Sequence, residues 1–325
     1  MEAFVEFDLK IFKKNINIIT EKCKGIKYIF PVKCCTNPKI LEILADFSFG
    51  FDISNNNEYK KIKKYLNGQF VSVSGPLSYQ LIDQRYNNLH IVANNLDIYR
   101  YCHGLRINFN YNDNFEKSRF GVNFGECKPN VLESLKYIHF HNSDKKTKQK
   151  CENIFLEIEK IVMSCPKLEY INIGGHLEDL TIDQGIVFLN RVREIVPKKI
   201  IIIAELGDFL FKDCGTLYCE VIESKKIKEK QIVTLNFSKM ANQRWVYPRY
   251  QSTIQSALIE TEFYGCSCCE TDFFLTTKSQ MLKKGERLIF SNISPYSYEW
   301  NTEFNGVKRM EFKFLYNRLN KQSRV

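Results

Sequence analysis

No stretch of this sequence stays apolar for long enough to span a bilayer, and the opening MEAFVEFDLKIFKKN lacks the apolar core of a secretory signal. Both absences point to a cytosolic (cytoplasmic) protein with no membrane partner. Ligand pairing around the cysteines is missing as well. The cluster GCSCCETD (265–272) has no matching Cys-x-x-Cys or His pair, so no metal is expected there. The twelve cysteines are spread through a long chain without a targeting signal, the pattern of reduced thiols. Clustered basic charge is lacking too. The net charge is +10, but the lysines are scattered along helix-like segments, and SDKKTKQK (143–150) reads as a solvated turn and helix start. No nucleic-acid partner follows from it.

What is present is a core. An apolar fraction of 44% with 14% aromatics excludes disorder, and 325 residues hold one large domain or two of ordinary size. Strand-like runs fall at 26–32, 49–54, 70–74, 90–94, 105–109, 137–141, 170–175 and 199–205, several apolar throughout as strands buried on both faces must be. Helical patterns separate them: Ile40, Leu41, Ile43 and Leu44 after Pro38, then Ile154, Ile158, Ile161 and Val162. A helix before the first run has Asp8 as its N-cap and Leu9, Phe12, Ile16 and Ile19 on one face. Eight alternations in about 200 residues predict a (β/α)8 barrel over residues 8–215, with an open doubly wound sheet as the alternative. Beyond it TLYCEVIES, KQIVTLNFS, TIQSALIETEFYG, ERLIFSN and MEFKFLYN read as strands, so 216–325 forms a mostly β domain. The strand-like opening, 1–7, is assigned to the same domain.

Barrel enzymes do their chemistry where the strands end. Those positions hold Lys33, Asp52, Ser74, Arg106 with the loop bearing Arg119, His141, Gly174 with Gly175, and Glu205. Each alone has a structural explanation: an exposed charge, a cap, a core histidine, a turn glycine. Together they offer an amine, a flat ring, a backbone-only turn and carboxylates around one opening. Pyridoxal 5'-phosphate needs such a set: an amine for its aldehyde, N–H groups for its phosphate and an acid beside its pyridine nitrogen.

At these residues the sequence resembles the barrel-type (fold type III) pyridoxal-phosphate decarboxylases of ornithine, diaminopimelate and carboxynorspermidine, and more distantly alanine racemase. The likeness runs in order through FVEFDLKIFKKNI, PVKCCTNPKILEIL, GFDISNNNEYKKI, LRINFNYNDNFEKSRFG, IHFHN, INIGGH, AELGD, GCSCCETD and ISPYSYEWNTEFNG. HFHN and NIGGH are most similar to the carboxynorspermidine branch. The resemblance implies an alanine-racemase-like barrel and a Schiff-base lysine at Lys33. It implies that Asp52 and Glu58 order the lysine and phosphate region, with Arg119 among the cofactor-binding residues. His141 would stack on the ring, Gly174 and Gly175 cradle the phosphate, Glu205 face the pyridine nitrogen and Tyr296 reach the phosphate. Cys268 would cross the interface of a homodimer with shared active sites and return a proton to the reacting carbon. Cys269, Asp272 and Phe304, the last beside Asn305, would meet substrate.

Three departures from the family pattern stand out, the third of which bears on the substrate. The three-glycine run is shortened to GGH, Leu206 replaces a proline, and Cys269 stands where ornithine enzymes carry an acid. In SKMANQRWVYPRY (238–250), Ala241 and Arg244 fall where the carboxynorspermidine branch is acidic. An acid-to-arginine exchange repels a polyamine and attracts a carboxylate. The expectation is therefore a decarboxylase of an N-substituted ornithine, with N-citrylornithine, a precursor in rhizoferrin-type siderophore assembly, as the candidate. The alternatives are a carboxynorspermidine, carboxyspermidine or other diamino acid decarboxylase of polyamine biosynthesis, and a non-catalytic cofactor-binding or regulatory homologue.

Overall fold

The computed structural model describes residues 1–82, 88–109, 118–141, 146–251 and 257–316. Parts of the expected segments at 105–121, 138–142, 143–150, 253–265 and 310–317 lie outside the described residues. Two compact units divide the chain, Ile16–Leu210 and Met1–Asn15 with Phe211–Val325, where the sequence suggested boundaries near 8 and 216.

The chain opens with β1 (Phe4–Asp8) and α1 (Leu9–Lys22). Then follow β2 (Ile26–Pro31), α2 (Pro38–Asp46), β3 (Gly50–Ile53), α3 (Asn56–Ile62), β4 (Val71–Val73) and β5 (Leu89–Ala93). Next come α4 (Leu96–Tyr99), β6 (Gly104–Asn108), β7 (Val122–Asn123), α5 (Pro129–Ser134) and β8 (Tyr137–His139). The series closes with α6 (Lys148–Ser164), β9 (Tyr170–Asn172), α7 (Ile182–Ile195) and β10 (Ile201–Glu205). The parallel order β5-β4-β3-β2-β10-β9-β8-β6, with β6 pairing back to β5, closes an eight-stranded barrel.

Local chemistry marks the start of several helices. Asp8 Oδ1 accepts from the N–H groups of Lys10 (2.9 Å) and Ile11 (3.3 Å), and Leu9, Phe12, Ile16 and Ile19 are fully buried along the helix that follows. Asn37 caps α2, with Pro38 in its first turn, and Thr181 with Gln184 forms a capping box on α7. Among the described residues the connection after β4 holds a 3-10 turn at Ser78–Leu81 and the one after β5 the single turn α4. An aromatic and aliphatic cluster of Ile29, Phe70, Val92, Tyr137 and Ile203 fills the barrel beneath its polar end. Each such side chain contributes roughly 1.5–3 kcal/mol relative to exposure.

The second unit is a sheet of β1 with β11 (Gly215–Ile227), β12 (Lys230–Leu235), β13 (Arg249–Tyr250), β14 (Ile259–Tyr264), β15 (Phe273–Ser279), β16 (Arg287–Ser291) and β17 (Glu311–Leu315). β1 runs antiparallel to β11 and parallel to β17. Short helices α8 (Lys239–Asn242) and α9 (Tyr296–Trp300) lie in the connections. Phe237, Phe263, Phe274 and Phe290 meet edge to face within this unit, at 5.0 to 5.3 Å between centroids. No helix among the described residues is long and apolar enough to cross a membrane.

Candidate active site

Three adjacent barrel strands end in polar side chains that an apolar interior tolerates only when paired: His139 on β8, Asn172 on β9 and Glu205 on β10. All three are buried. Asn172 Nδ2 donates to Glu205 Oε1 (2.9 Å) and to Tyr137 Oη (3.2 Å), and Tyr137 Oη lies 3.2 Å from Ser72 Oγ on β4. His139 Nε2 is 3.2 Å from Glu205 Oε1, and His141 Nδ1 is 3.9 Å from Oε2. A continuous polar chain thus crosses the barrel from β4 to β10, while Oε2 accepts no hydrogen bond from a described residue.

The electrostatics separate the two carboxyls. Burial raises Asp52 well above the usual carboxylate range, and the Glu205 charge adds to this; Lys33 and the hydroxyls of Ser74 and Ser72 oppose it. Burial would raise Glu205 too, but His139, His141 and Lys33 outweigh it and hold that carboxyl below its ordinary range. Two acids driven apart in this way take different roles, one holding a proton and one ionised. Burial also lowers both imidazoles from their ordinary range, His141 most strongly, against the opposing charge of Glu205. Lys33 sits in a 3-10 turn just past β2, exposed, and its charge acts on Asp52, Glu205 and both histidines.

Buried atoms without a hydrogen-bond partner include three on separate residues of this interior: Asp52 Oδ1, Arg106 Nε and His139 Nδ1. Orphans are uncommon in packed interiors, and three together suit a polar molecule. An amine, an ionised carboxylate with a free oxygen, a neutral flat ring and a half-buried guanidinium match the chemistry of pyridoxal phosphate. The residues present fit that group.

Other expected residues take more local roles. Glu58 Oε2 accepts from the Ser54 N–H (2.7 Å), and its own N–H donates to Asn55 Oδ1 at the start of α3. Arg119 is exposed, its guanidinium 4.7 Å from the Phe120 ring centroid. The glycine pair is required by close approach. Gly174 has φ of 68°, and a Cβ there would come within 2.6 Å of the Phe140 carbonyl oxygen; at Gly175 it would meet that of Glu205 at 2.5 Å. Their N–H groups are engaged inside the protein, Gly174 with Asn172 Oδ1 (2.9 Å) and Gly175 with His141 Nδ1 (3.3 Å). A phosphate held by these amides would have to displace those acceptors. Next in the chain, His176 lies 2.7 Å from Glu178 Oε1.

Within the β unit, the structure brings two expected segments together: the Cys268 N–H donates to Asn305 Oδ1 (2.8 Å). Cys268 and Phe304 are exposed and Cys269 is half-buried. Asp272 does not face outward. It is buried and accepts from Ser267 Oγ (2.6 Å), Ser267 N–H and Met240 N–H (3.1 Å each), so here it shapes the cysteine loop. Arg244 lies with its guanidinium over two indoles, Trp245 at 4.9 Å and Trp300 at 4.5 Å, and Tyr296 packs edge-on against Trp245.

Sequence reading passed over His139, Tyr137, Ser72 and Asn172. Their signal was alternation: in YIHFH, residues 137, 139 and 141 share one face of a strand, so His139 points the same way as His141.

No protein-family model matches the sequence, and no curated protein does. Solved structures match over nearly the whole chain. The arginine decarboxylase of Paramecium bursaria Chlorella virus, bound to agmatine, superposes with a TM-score of 0.79 at 18% identity, over 97% of each chain. Lysine/ornithine decarboxylase from Vibrio vulnificus, complexed with cadaverine, gives 0.76 at 16% identity, covering 97% of this chain and 95% of that one. Diaminopimelate decarboxylase from Helicobacter pylori, complexed with L-lysine, gives 0.77 at 16%, covering 98% and 93%. The protein has the barrel-plus-β-domain fold of these decarboxylases.

Proposed function

We propose that the protein is a pyridoxal-phosphate-dependent amino acid decarboxylase. The observation that carries this reading is the buried Glu205, ionised between His139, His141 and Asn172 at the ends of β8 to β10, in the electrostatic reach of Lys33. When bound, the cofactor supplies a protonated aromatic ring that withdraws electrons from the bond to the departing carboxylate. The chain supplies the rest. Lys33 would hold the cofactor through its aldehyde. Glu205 would hold the proton of the ring nitrogen at its unoccupied oxygen, and the His141 ring would pack on the cofactor. Asp52 and Arg106 would satisfy polar groups at their orphaned atoms, and Tyr296 would serve the phosphate. Cys268, from the partner subunit of a homodimer, would deliver the proton that replaces CO2, a general-acid task that a positioned thiol can perform.

The substrate we infer is an ornithine derivative whose distal nitrogen carries carboxylates, with N-citrylornithine as the candidate. Arg244 supports this, since it replaces the acid of the carboxynorspermidine branch. The diamines in the solved decarboxylases, agmatine and cadaverine, favour the second reading, a plain diamino acid or polyamine precursor. A CO2-release screen over ornithine, lysine, diaminopimelate, carboxynorspermidine and N-acylated ornithines decides between them. Release from carboxynorspermidine with none from N-citrylornithine would select the second. No release from any, with no cofactor trapped on Lys33 by borohydride, would end the decarboxylase reading.

A further inference from the structure

The chain has two tryptophans, and both touch the same arginine. Contact with ring faces uses the charge of a guanidinium and leaves its five N–H donors to other partners. Among the described residues no acceptor takes those of Arg244. Its surroundings are nevertheless fixed. The Arg244 peptide N–H donates to Ser297 Oγ (3.2 Å), which donates onward to Gln243 Oε1 (2.9 Å). Trp300 Nε1 donates to the Met240 carbonyl (3.2 Å). The group borders a cavity of about 450 Å3 lined also by Lys239, Gln243 and Thr271, with two cations and no carboxylate on its wall. Trp245 has φ of 48° and is 56% exposed, so a bulky ring sits in strained backbone without contributing to the core.

We propose that this cavity binds the carboxylate end of a small molecule, with Arg244 as the two-pronged receptor and Lys239 as the second cation. Stacking holds the guanidinium in place before the ligand arrives, which lowers the ordering cost of binding. A volume of this size admits a di- or tricarboxylate. That the molecule is the distal end of the substrate rests on the decarboxylase reading; the binding site itself does not.

The two indoles make the test direct, because all tryptophan emission comes from this site. Titrating the full-length protein with citrate at constant ionic strength should give a saturable fluorescence change, and spermidine should give none. Arg244→Gln should weaken citrate binding about tenfold or more, the loss expected for a charge-assisted pair. Arg244→Lys, which keeps the charge without the planar fork, should fall between the two. An absent citrate response, or equal affinity in Arg244→Gln, overturns the proposal. A change that follows protein concentration instead of citrate marks the face as a contact between copies and overturns it too. Citrate binding without CO2 release in the substrate screen keeps this site and removes the decarboxylase; CO2 release without citrate binding does the reverse.

Discussion

The polar residues at the barrel's strand ends and the exposed candidate residues of the β unit stand in opposite surroundings. In the barrel, Asp52, His139, Asn172 and Glu205 are all buried, and each changes the chemistry of its neighbours. In the β unit, Cys268, Arg244 and Phe304 are exposed, and what fixes them is a backbone bond to Asn305 or the face of an indole. Burial makes charge strong and slow to rearrange, and so suits the invariant part of a reaction. Exposure leaves a donor set available to something that comes and goes. The proposed division follows: the interior sets what is done, the outer group what it is done to.

The largest test removes the amine. Lys33→Ala should abolish CO2 release and the borohydride-trapped adduct, even if cofactor still binds without a covalent bond. Cys268→Ala should keep the cofactor spectrum and slow turnover. Mixing the two variant chains should restore part of the activity, because one of the two mixed sites has both residues. Mixed dimers without activity would show that the two units do not serve a shared site.

A second test compares the regions by stability. Asn172→Ala removes the buried hydrogen bonds to Tyr137 Oη and Glu205 Oε1 and the acceptor of the Gly174 N–H, and together these losses cost about 1–3 kcal/mol in urea unfolding. Arg244→Ala, on the surface, should change stability by no more than about 0.5 kcal/mol. Its effect belongs in kinetics, as a rise in KM of roughly tenfold for an anionic substrate with kcat nearly kept. Equal stability losses at the two sites would erase the contrast.

The smallest effect is a pH dependence. His90 stacks on Phe70 at 3.9 Å, and burial, with the charges of His103 and Lys27, lowers its pKa from about 6.5 to about 4. The unfolded chain therefore takes up this proton at a higher pH than the folded one. Stability is full above pH 6.5 and falls as the pH drops from there to about 4. Partial exposure and screening keep this loss small. His90→Phe should flatten that part of the profile in urea melts taken at each pH; an unchanged slope would assign it to other groups.

Much of this was legible in the sequence. All eight barrel strands stand where apolar runs predicted them, because a strand covered on both faces shows itself by composition alone. The runs overshoot at their ends. The stretch 170–175 stops as a strand at Asn172, since Gly174 turns to positive φ, and 137–141 stops at His139. Three strands escaped notice. β15, FFLTTKS, alternates weakly and follows the cysteine cluster that drew the functional reading, and β7 and β13 have two residues each. Strand ends gave Lys33, Asp52 and Glu205 as candidates. The partners of Glu205 were hidden because Asn172 and Tyr137 look like ordinary core residues until register brings neighbouring strands side by side. Pairing between distant segments is a property of topology, not of spacing.

The place of β1 has a consequence for how the protein is made. Phe4 pairs with Tyr218 on one side and with Glu311 on the other, so β1 leaves the ribosome well before β17 and waits for it before both its edges are covered. The contiguous stretch from Ile16 to Leu210 can close its barrel in the meantime. Contacts so distant in sequence form slowly, and an open strand edge invites the wrong partner while it waits. Synthesis stopped short of Glu311 would leave a closed barrel attached to a sheet with one sticky edge, a product more prone to aggregate than to sit idle.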